Sequence, residues 1–496
     1  YHYAQAADWA KAHEYLMKTG DQAGRIAADS EALSHYKKAV SAYEKMFGNR
    51  WDPSQRAELE RKIGEALFRH GEHNKACKSL NKSLELLNDS FPETIWGLRY
   101  GILKHAVIHV IHRLFPIRIE KCQTKGVSED FIERMKVHEL MGWIDYTSNN
   151  ERLLYNILYS LNVSEKHNYL PAISQGFSGL GIILDACVKP KLAERYHILA
   201  SRSADESNNP LSLATAYYGY GMHLHLINEK QKAIEMYEKS AQIGTKIGNI
   251  KLWACPTMLK SILYCEEGEF DQSLEICSKV TELGREVSDD QIIGWGLHLQ
   301  GKNIMYLNDL DKSEVYIREA TELLKAVPDY FVLSFAMSDL AKCYMFRDQE
   351  DMAIKAVEQV QELIEEFPIK GYCVWCAHST CVEVCLEVCN KIKKEQKAKY
   401  NKMAKNLINE VMKKKKSYCI NNPKLYRMKG TLLWQNGRYK RAQKYWESSL
   451  EYGRNMENRF QEALTCFEMA KYTSDNMLLD QSKSIFRQIG ANIYLQ

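Results

Sequence analysis

Apolar residues along this chain recur three and four positions apart rather than in alternation, and the small residues among them keep a longer count. In 233–243 the apolar positions 233, 234, 236, 237, 241 and 243 form one helical stripe. Gly181, Gly221, Ser261, Gly301, Ala341 and Cys381 stand forty residues apart, and Ala193, Ala233, Ser273, Ser313 and Ala353 hold a second register twelve residues further on. Between the two registers lie Asn228, Gly268, Asn308 and Asp348, residue types that tolerate the left-handed backbone of a helix end. Each unit therefore reads helix, turn, helix, with small residues where two helices approach too closely for a larger side chain. Propeller blades have a similar period, but these units lack the alternating Val, Thr and Ile runs that strands require. The fold class is all-α: a right-handed α–α superhelix of tetratricopeptide-like hairpins with a period of about 40 residues.

In chain order, helices are predicted over 8–18 and 29–46, with Asp8 and Asp29 as N-caps. Ile63, Gly64, Leu67, Gly71, Ala76, Leu80 and Ser83 fit the tetratricopeptide pattern. That pattern is lost over 91–127, where a strongly apolar helix (95–115) ends at Pro116 and leads into a polar connection. A second clear tetratricopeptide unit carries Gly430, Leu433, Gly437, Ala442, Trp446 and Ser449, and a last helical pair ends at 486–490. The predicted organisation is N-terminal helical pairs (1–90), an apolar helix and connection (91–130), the forty-residue array (131–416) and a closing unit (417–496).

At 496 residues the chain exceeds what one compact core supports, so a quasi-linear array is favoured. Lys and Arg number 67 against 63 Asp and Glu, a balance too even for nucleic acid as the global partner. The 14 cysteines are scattered through apolar helical patterns with no secretory leader, which points to free thiols and a cytoplasmic location. The longest apolar run, 106–115, contains His109 and His112 and is too short to span a bilayer. Because the chain opens on Tyr1 with residues that already look repeat-like, it is expected to be an excerpt of a longer protein.

No catalytic constellation emerges. The stretch 296–303, G-L-H-L-Q-G-K-N, misses a phosphate-binding loop because Asn303 stands where a Ser or Thr would hold magnesium, and Gly301 is the helix-packing residue of the repeat. The stretch 176–181, G-F-S-G-L-G, fails nucleophile-elbow and dinucleotide spacings alike. His105, His109 and His112 share one helical face. Side chains seven residues apart lie about 10 Å apart along the axis, so they are expected to line a partly buried groove or a pH-sensitive contact rather than a zinc site. Cys373, Cys376, Cys381, Cys385 and Cys389 are read as small apolar fillers of a buried stripe, since Cys381 occupies the small position of the repeat. No metal site is expected. The run 391–416 carries eleven lysines against Glu395 and Glu410. It is either the solvated face of a long second helix or, with Lys413, Lys414, Lys415 and Lys416 as its basic patch, a contact for an acidic partner or anionic surface.

In tetratricopeptide arrays the first helix of each pair lines the concave surface. Aligning the units there places Tyr218, Met222 and His225, then Trp295, His298, Lys302 and Met305, then Phe335, Lys342 and Met345 on a surface suited to a peptide or a neighbouring domain.

Y-H-Y-A-Q-A-A-D-W-A-K-A-H-E-Y-L-M-K-T-G-D-Q-A (1–23) resembles the junction that follows the winged-helix part of large signal-transduction ATPases. V-I-H-R-L-F-P (110–116) and I-F-R-Q-I-G-A (485–491) resemble segments of their helical tails. The chain is thus similar to the C-terminal solenoid of predicted ATPases fused to class III adenylate or guanylate cyclase domains, including the soluble (type 10) adenylate cyclases; kinase-fused ATPases carry similar tails. The resemblance implies a non-catalytic interaction and regulatory solenoid, with ATP and Mg belonging to an upstream portion and no cofactor in this chain. Its partners would be a protein, a peptide or an upstream ATPase or cyclase domain. Two other readings stay open: an excerpt contributing to a composite active site, and a stand-alone tetratricopeptide scaffold.

Overall fold

The computed structural model describes residues 3, 7–25, 29–48, 50–115, 126–367, 370–391, 394–414 and 422–495, with the side chains of Arg25, 394–396, 413, 414 and 422 left out. Among these residues there are 23 α-helices and no strand. They are α1 (Trp9–Arg25), α2 (Asp29–Phe47), α3 (Pro53–Arg69), α4 (His73–Leu86), α5 (Ile95–Leu114), α6 (Glu129–Ser148), α7 (Asn150–His167), α8 (Leu170–Ala186), α9 (Pro190–Ser207), α10 (Pro210–Leu226), α11 (Lys230–Lys246) and α12 (Ile250–Glu267). The second half holds α13 (Phe270–Glu286), α14 (Asp290–Leu307), α15 (Leu310–Ala326), α16 (Tyr330–Phe346), α17 (Glu350–Glu366), α18 (Tyr372–Lys391), α19 (Lys394–Lys414), α20 (Asn422–Gln435), α21 (Tyr439–Asn455), α22 (Arg459–Thr473) and α23 (Asn476–Ile489).

From α8 to α17 a new helix begins every twenty residues, so two helices make one forty-residue unit. The chain reverses on one left-handed residue at nearly every turn: Asn168, Val188, Asn208, Asn228, Gly248, Gly268, Ser288, Asn308 and Asp348 have positive φ, and Pro328 takes the equivalent place without it. Asn and Gly dominate because the left-handed region costs them least. The next helix is then capped from its first turn; Asn209, Asn249, Asp289 and Asp329 each accept a hydrogen bond from a backbone N–H two or three residues on.

The two small registers meet inside each unit. A Cβ on Gly221 would lie 2.7 Å from the Tyr237 ring, and one on Gly301 would lie 2.5 Å from Ile317. Where the unit carries serines instead, the Ser261 and Ser273 hydroxyls hydrogen-bond each other at 2.9 Å. The stretches 296–303 and 176–181 are interior turns of α14 and α8, so their glycines serve helix packing. Asp8 caps the first turn of α1 by accepting from the Lys11 N–H, whereas Asp29 already lies inside α2.

The superhelix closes on itself. Tyr146 of α6 packs on Phe331 of α16, and Trp143 packs on Tyr218 of α10. At the other end, Lys230 of α11 donates to the Met456 carbonyl at 2.7 Å, and Asn458 donates to Glu266 and Glu267 at the end of α12. Phe460, Phe486 and Tyr494 form one core with Phe270, Met305 and Tyr306. No helix among the described residues is long and apolar enough to cross a membrane.

Candidate interaction surfaces

The first helices of successive units, α10, α12, α14, α16 and α18, face inward. Because the repeat is forty residues, a polar side chain there reaches a partner about forty residues away, and buried networks run along the inner wall. Lys251 holds Asp289 at 2.7 Å and Gln291 at 2.7 Å; Gln291 and the Trp295 Nε1–H both donate to Asp329 at 2.8 Å. Asp289 and Asp329 are the N-caps of α14 and α16, so the same carboxylates fix helix starts and join units. His298 and Lys302 meet Asp339 at 2.8 Å and 3.1 Å, and the Lys302 ammonium sits 4.0 Å over the Phe335 ring. Burial works to raise the Asp339 carboxyl, but Lys302 and His298 outweigh it and hold it at about 2.

His225 pairs with Glu266 at 3.2 Å, and Tyr372 donates to the same carboxylate. Burial opposes ionisation of Glu266, and these two partners overcome it, so its carboxyl lies below its ordinary value. Lys342, Lys424 and Arg427 surround Glu383 at 3.0, 3.3 and 2.7 Å. The three cations overcome the burial of Glu383 and hold its carboxyl well below the usual range.

The ten residues singled out from the repeat alignment lie on this inner wall, most of them buried. Tyr218, Met222, Trp295, His298 and Phe335 line an apolar pocket of about 80 Å³ together with Trp143 and Tyr146; an adjoining pocket of about 120 Å³ lies between α6, α7 and α8. Lys342 and Met345 line a larger cavity of about 430 Å³ with Glu383, Arg427 and Tyr494. His225 and Lys302 are held in ion pairs, and Met305 is sealed beneath the C-terminal core. The closing residues, Tyr146, Tyr372 and Tyr494, carry no repeat signal that could have announced them.

Cys373, Cys376, Cys381, Cys385 and Cys389 are all buried in α18, and burial pushes the Cys376 and Cys381 thiols up to about 12. In α19, Tyr400 and Ile408 face the core, while Lys399 pairs outward with Glu358 at 2.5 Å. Of the basic patch, the side chains of Lys413 and Lys414 and the whole of Lys415 and Lys416 lie outside the described residues.

A different surface stands out on α5, which is inverted relative to its neighbours. It buries its histidines: His109 shares a hydrogen bond of 2.7 Å with the Tyr196 hydroxyl, His112 meets Glu165 at 2.6 Å, and the His105 carbonyl accepts from Asn162. Burial, with help from Arg113, pulls His109 down to about 4, so it is neutral in this contact at physiological pH. Gly101 allows the approach, since a Cβ there would lie 2.5 Å from the Tyr155 ring. The opposite face leaves Trp96 75 %, Tyr100 70 %, Leu103 64 %, Val107 51 %, Val110 54 % and Leu114 66 % exposed. Their spacing alternates four and three residues along about 27 Å of helix, the seam of a helix that packs against another helix. Arg99, Lys104 and Arg113 flank it.

These features define a tetratricopeptide-like repeat scaffold suited to protein interaction. No family profile and no curated protein sequence matches the chain. Among solved structures, a Rap protein complexed with Competence and Sporulation Factor matches 82 % of this chain and 99 % of its own at 11 % identity, with a TM-score of 0.53. The apo form of RapI matches 57 % of this chain and 99 % of its own at 10 % identity and a TM-score of 0.43. A signal transduction ATPase with a tetratricopeptide repeat sensor from Pyrococcus horikoshii matches 77 % of this chain and 59 % of its own at 11 % identity and 0.42. Of these three, the first bears on the fold, and on the fold alone.

Proposed function

We propose that this chain is a non-catalytic interaction and regulatory solenoid that docks an amphipathic helix along α5. The single observation carrying this reading is the inversion of α5: hydrogen-bonded histidines inward, a seam of six large apolar side chains outward. A contiguous apolar patch of this size on a folded surface marks an interaction site. The partner helix carries its own apolar seam with an acidic residue placed to meet Lys104, since the other two flanking cations, Arg99 and Arg113, already pair with Glu151 and Glu165.

The upstream portion suggested by residues 1–23, an ATPase with or without a cyclase domain, is the source of that helix we favour. In that arrangement ATP and Mg belong upstream, the protein is cytoplasmic, and this chain neither cyclises nor hydrolyses ATP. Lys413, Lys414, Lys415 and Lys416 add a second, salt-dependent contact for an acidic surface.

A photo-crosslinking residue in place of Leu103, in the full-length polypeptide, tests the reading. Crosslinks to an apolar, acid-flanked helix are expected, and peptide mapping identifies whether it is upstream sequence or another protein. Leu103 remaining uncrosslinked while an identical probe at the partly buried Ile102 reacts with α7 would refute it.

A further inference from the structure

Away from α5, and independent of the docking reading, α8, α9 and α10 bring three metal-ligating side chains to one point. Asp185 closes α8, His197 lies midway along α9, and His223 lies in the last turn of α10. His197 Nε2 is 3.0 Å from Asp185 Oδ2, and His223 Nδ1 is 2.8 Å from Asp185 Oδ1. All three ligand atoms lie within 4.8 Å of one another, and all three residues are buried.

The repeat explains how they meet. Residues twelve apart face each other across the turn of one unit, and residues thirty-eight apart face each other between units. The same three positions in neighbouring units hold Asp145, Ile157 and Ile183, then His225, Tyr237 and Leu263, then Cys265, Cys277 and Asn303, then Met305, Ile317 and Cys343. In each of those units at least one position carries a side chain that does not ligate, so packing alone does not ask for three ligands here. Only the unit of Asp185 combines two imidazoles with a carboxylate.

We infer that Asp185, His197 and His223 form a zinc site that ties two adjacent repeats together. Two imidazole nitrogens and one carboxylate oxygen are a donor set zinc accepts, and bonds of about 2.0–2.1 Å in tetrahedral geometry put ligand atoms about 3.3 Å apart. The observed 3.0 and 2.8 Å run to different oxygens of Asp185 and open by a few tenths of an ångström on binding, while any wider pair, all within 4.8 Å, closes toward the same spacing. Binding needs the ring nitrogens that face Asp185, His197 Nε2 and His223 Nδ1, to be free of protons, so zinc affinity should fall as the pH is lowered. The Tyr220 ring stacks against both imidazoles and fixes their planes.

The test uses the whole chain, stripped with chelator and titrated with cobalt(II) and zinc(II) alone. One equivalent of cobalt is expected to give visible d–d bands without thiolate charge-transfer bands, to be displaced by zinc, and zinc is expected to raise the Tm. Asp185→Asn keeps hydrogen-bonding capacity toward both imidazoles but removes the anionic ligand. It should lower zinc affinity by more than the roughly 100-fold that outer-shell changes cost, at unchanged helicity. Absence of d–d bands in the unsubstituted chain, thiolate bands in their place, or equal zinc affinity in Asp185→Asn would each overturn the site and leave a hydrogen-bonded clamp. If Asp185→Asn does not fold, His223→Gln replaces it with the same expected loss, and the spectrum of the unsubstituted chain decides alone if neither variant folds.

Discussion

Replacing Asp339 with Asn should remove a large part of the acid sensitivity of this fold. The carboxylate is buried between α14 and α16, receives His298 at 2.8 Å and Lys302 at 3.1 Å, and titrates at about 2. In the unfolded chain the same group titrates near its ordinary value of about 3.9, so the difference contributes about 2–3 kcal/mol of stability at neutral pH. The sign follows from the depression: the contribution is present above the unfolded value and drains away as the pH falls from about 5 toward 2. Asp339→Asn also leaves the Lys302 ammonium buried against Phe335 without its anion, so at neutral pH the loss should reach about 3–5 kcal/mol. Urea unfolding followed by far-UV circular dichroism at a series of pH values measures both effects. The double variant Asp339→Leu with Lys302→Met, which removes both charges, should recover most of the neutral-pH loss, because a buried pair replaced by apolar side chains is close to neutral. Stability curves for Asp339→Asn and the unsubstituted chain that run parallel between pH 5 and pH 2 would refute the depressed carboxyl and the network reasoning with it.

Gly221→Ala should destabilise by about 1–3 kcal/mol, since the added Cβ would sit 2.7 Å from a fully buried Tyr237 ring; an unchanged urea midpoint would show the pair can separate. Cys187 is exposed, whereas the five cysteines of α18 are buried; alkylation at mildly alkaline pH with peptide mass mapping should modify Cys187 while those five stay intact until the chain is unfolded. Rapid native labelling of Cys381 or Cys385 would mean that α18 is not packed as a core helix.

What the sequence reveals of this protein divides along sequence separation. The two small registers and the turn residues between them act within one unit, twelve to forty residues apart, so the contact Gly221 makes with Tyr237 leaves a period that a reader can count. The networks of the inner wall are half legible. Asp289 and Asp329 cap α14 and α16 in the structure, and the forty-residue period explains why the same carboxylates join Lys251, Gln291 and Trp295 across units. Closure of the superhelix is not legible at all. Tyr372 reaches Glu266 across 106 residues and Lys230 reaches Met456 across 226, and no local pattern encodes such pairings. Nothing local at the ten inner-wall residues therefore signals the distant parts of the chain, such as Tyr146 and Tyr494, that pack near them. Helix α5 shows the converse. Its sequence offers an apolar face and a histidine face, and hydrophobicity alone would bury Trp96, Tyr100 and Leu103. Hydrogen bonds to Tyr196 and Glu165, 87 and 53 residues downstream, satisfy His109 and His112 instead and turn the helix over. A helix that packs Leu98, Ile102 and its histidines inward and still shows six large apolar side chains outward has settled one half of its packing, and the other half needs a partner.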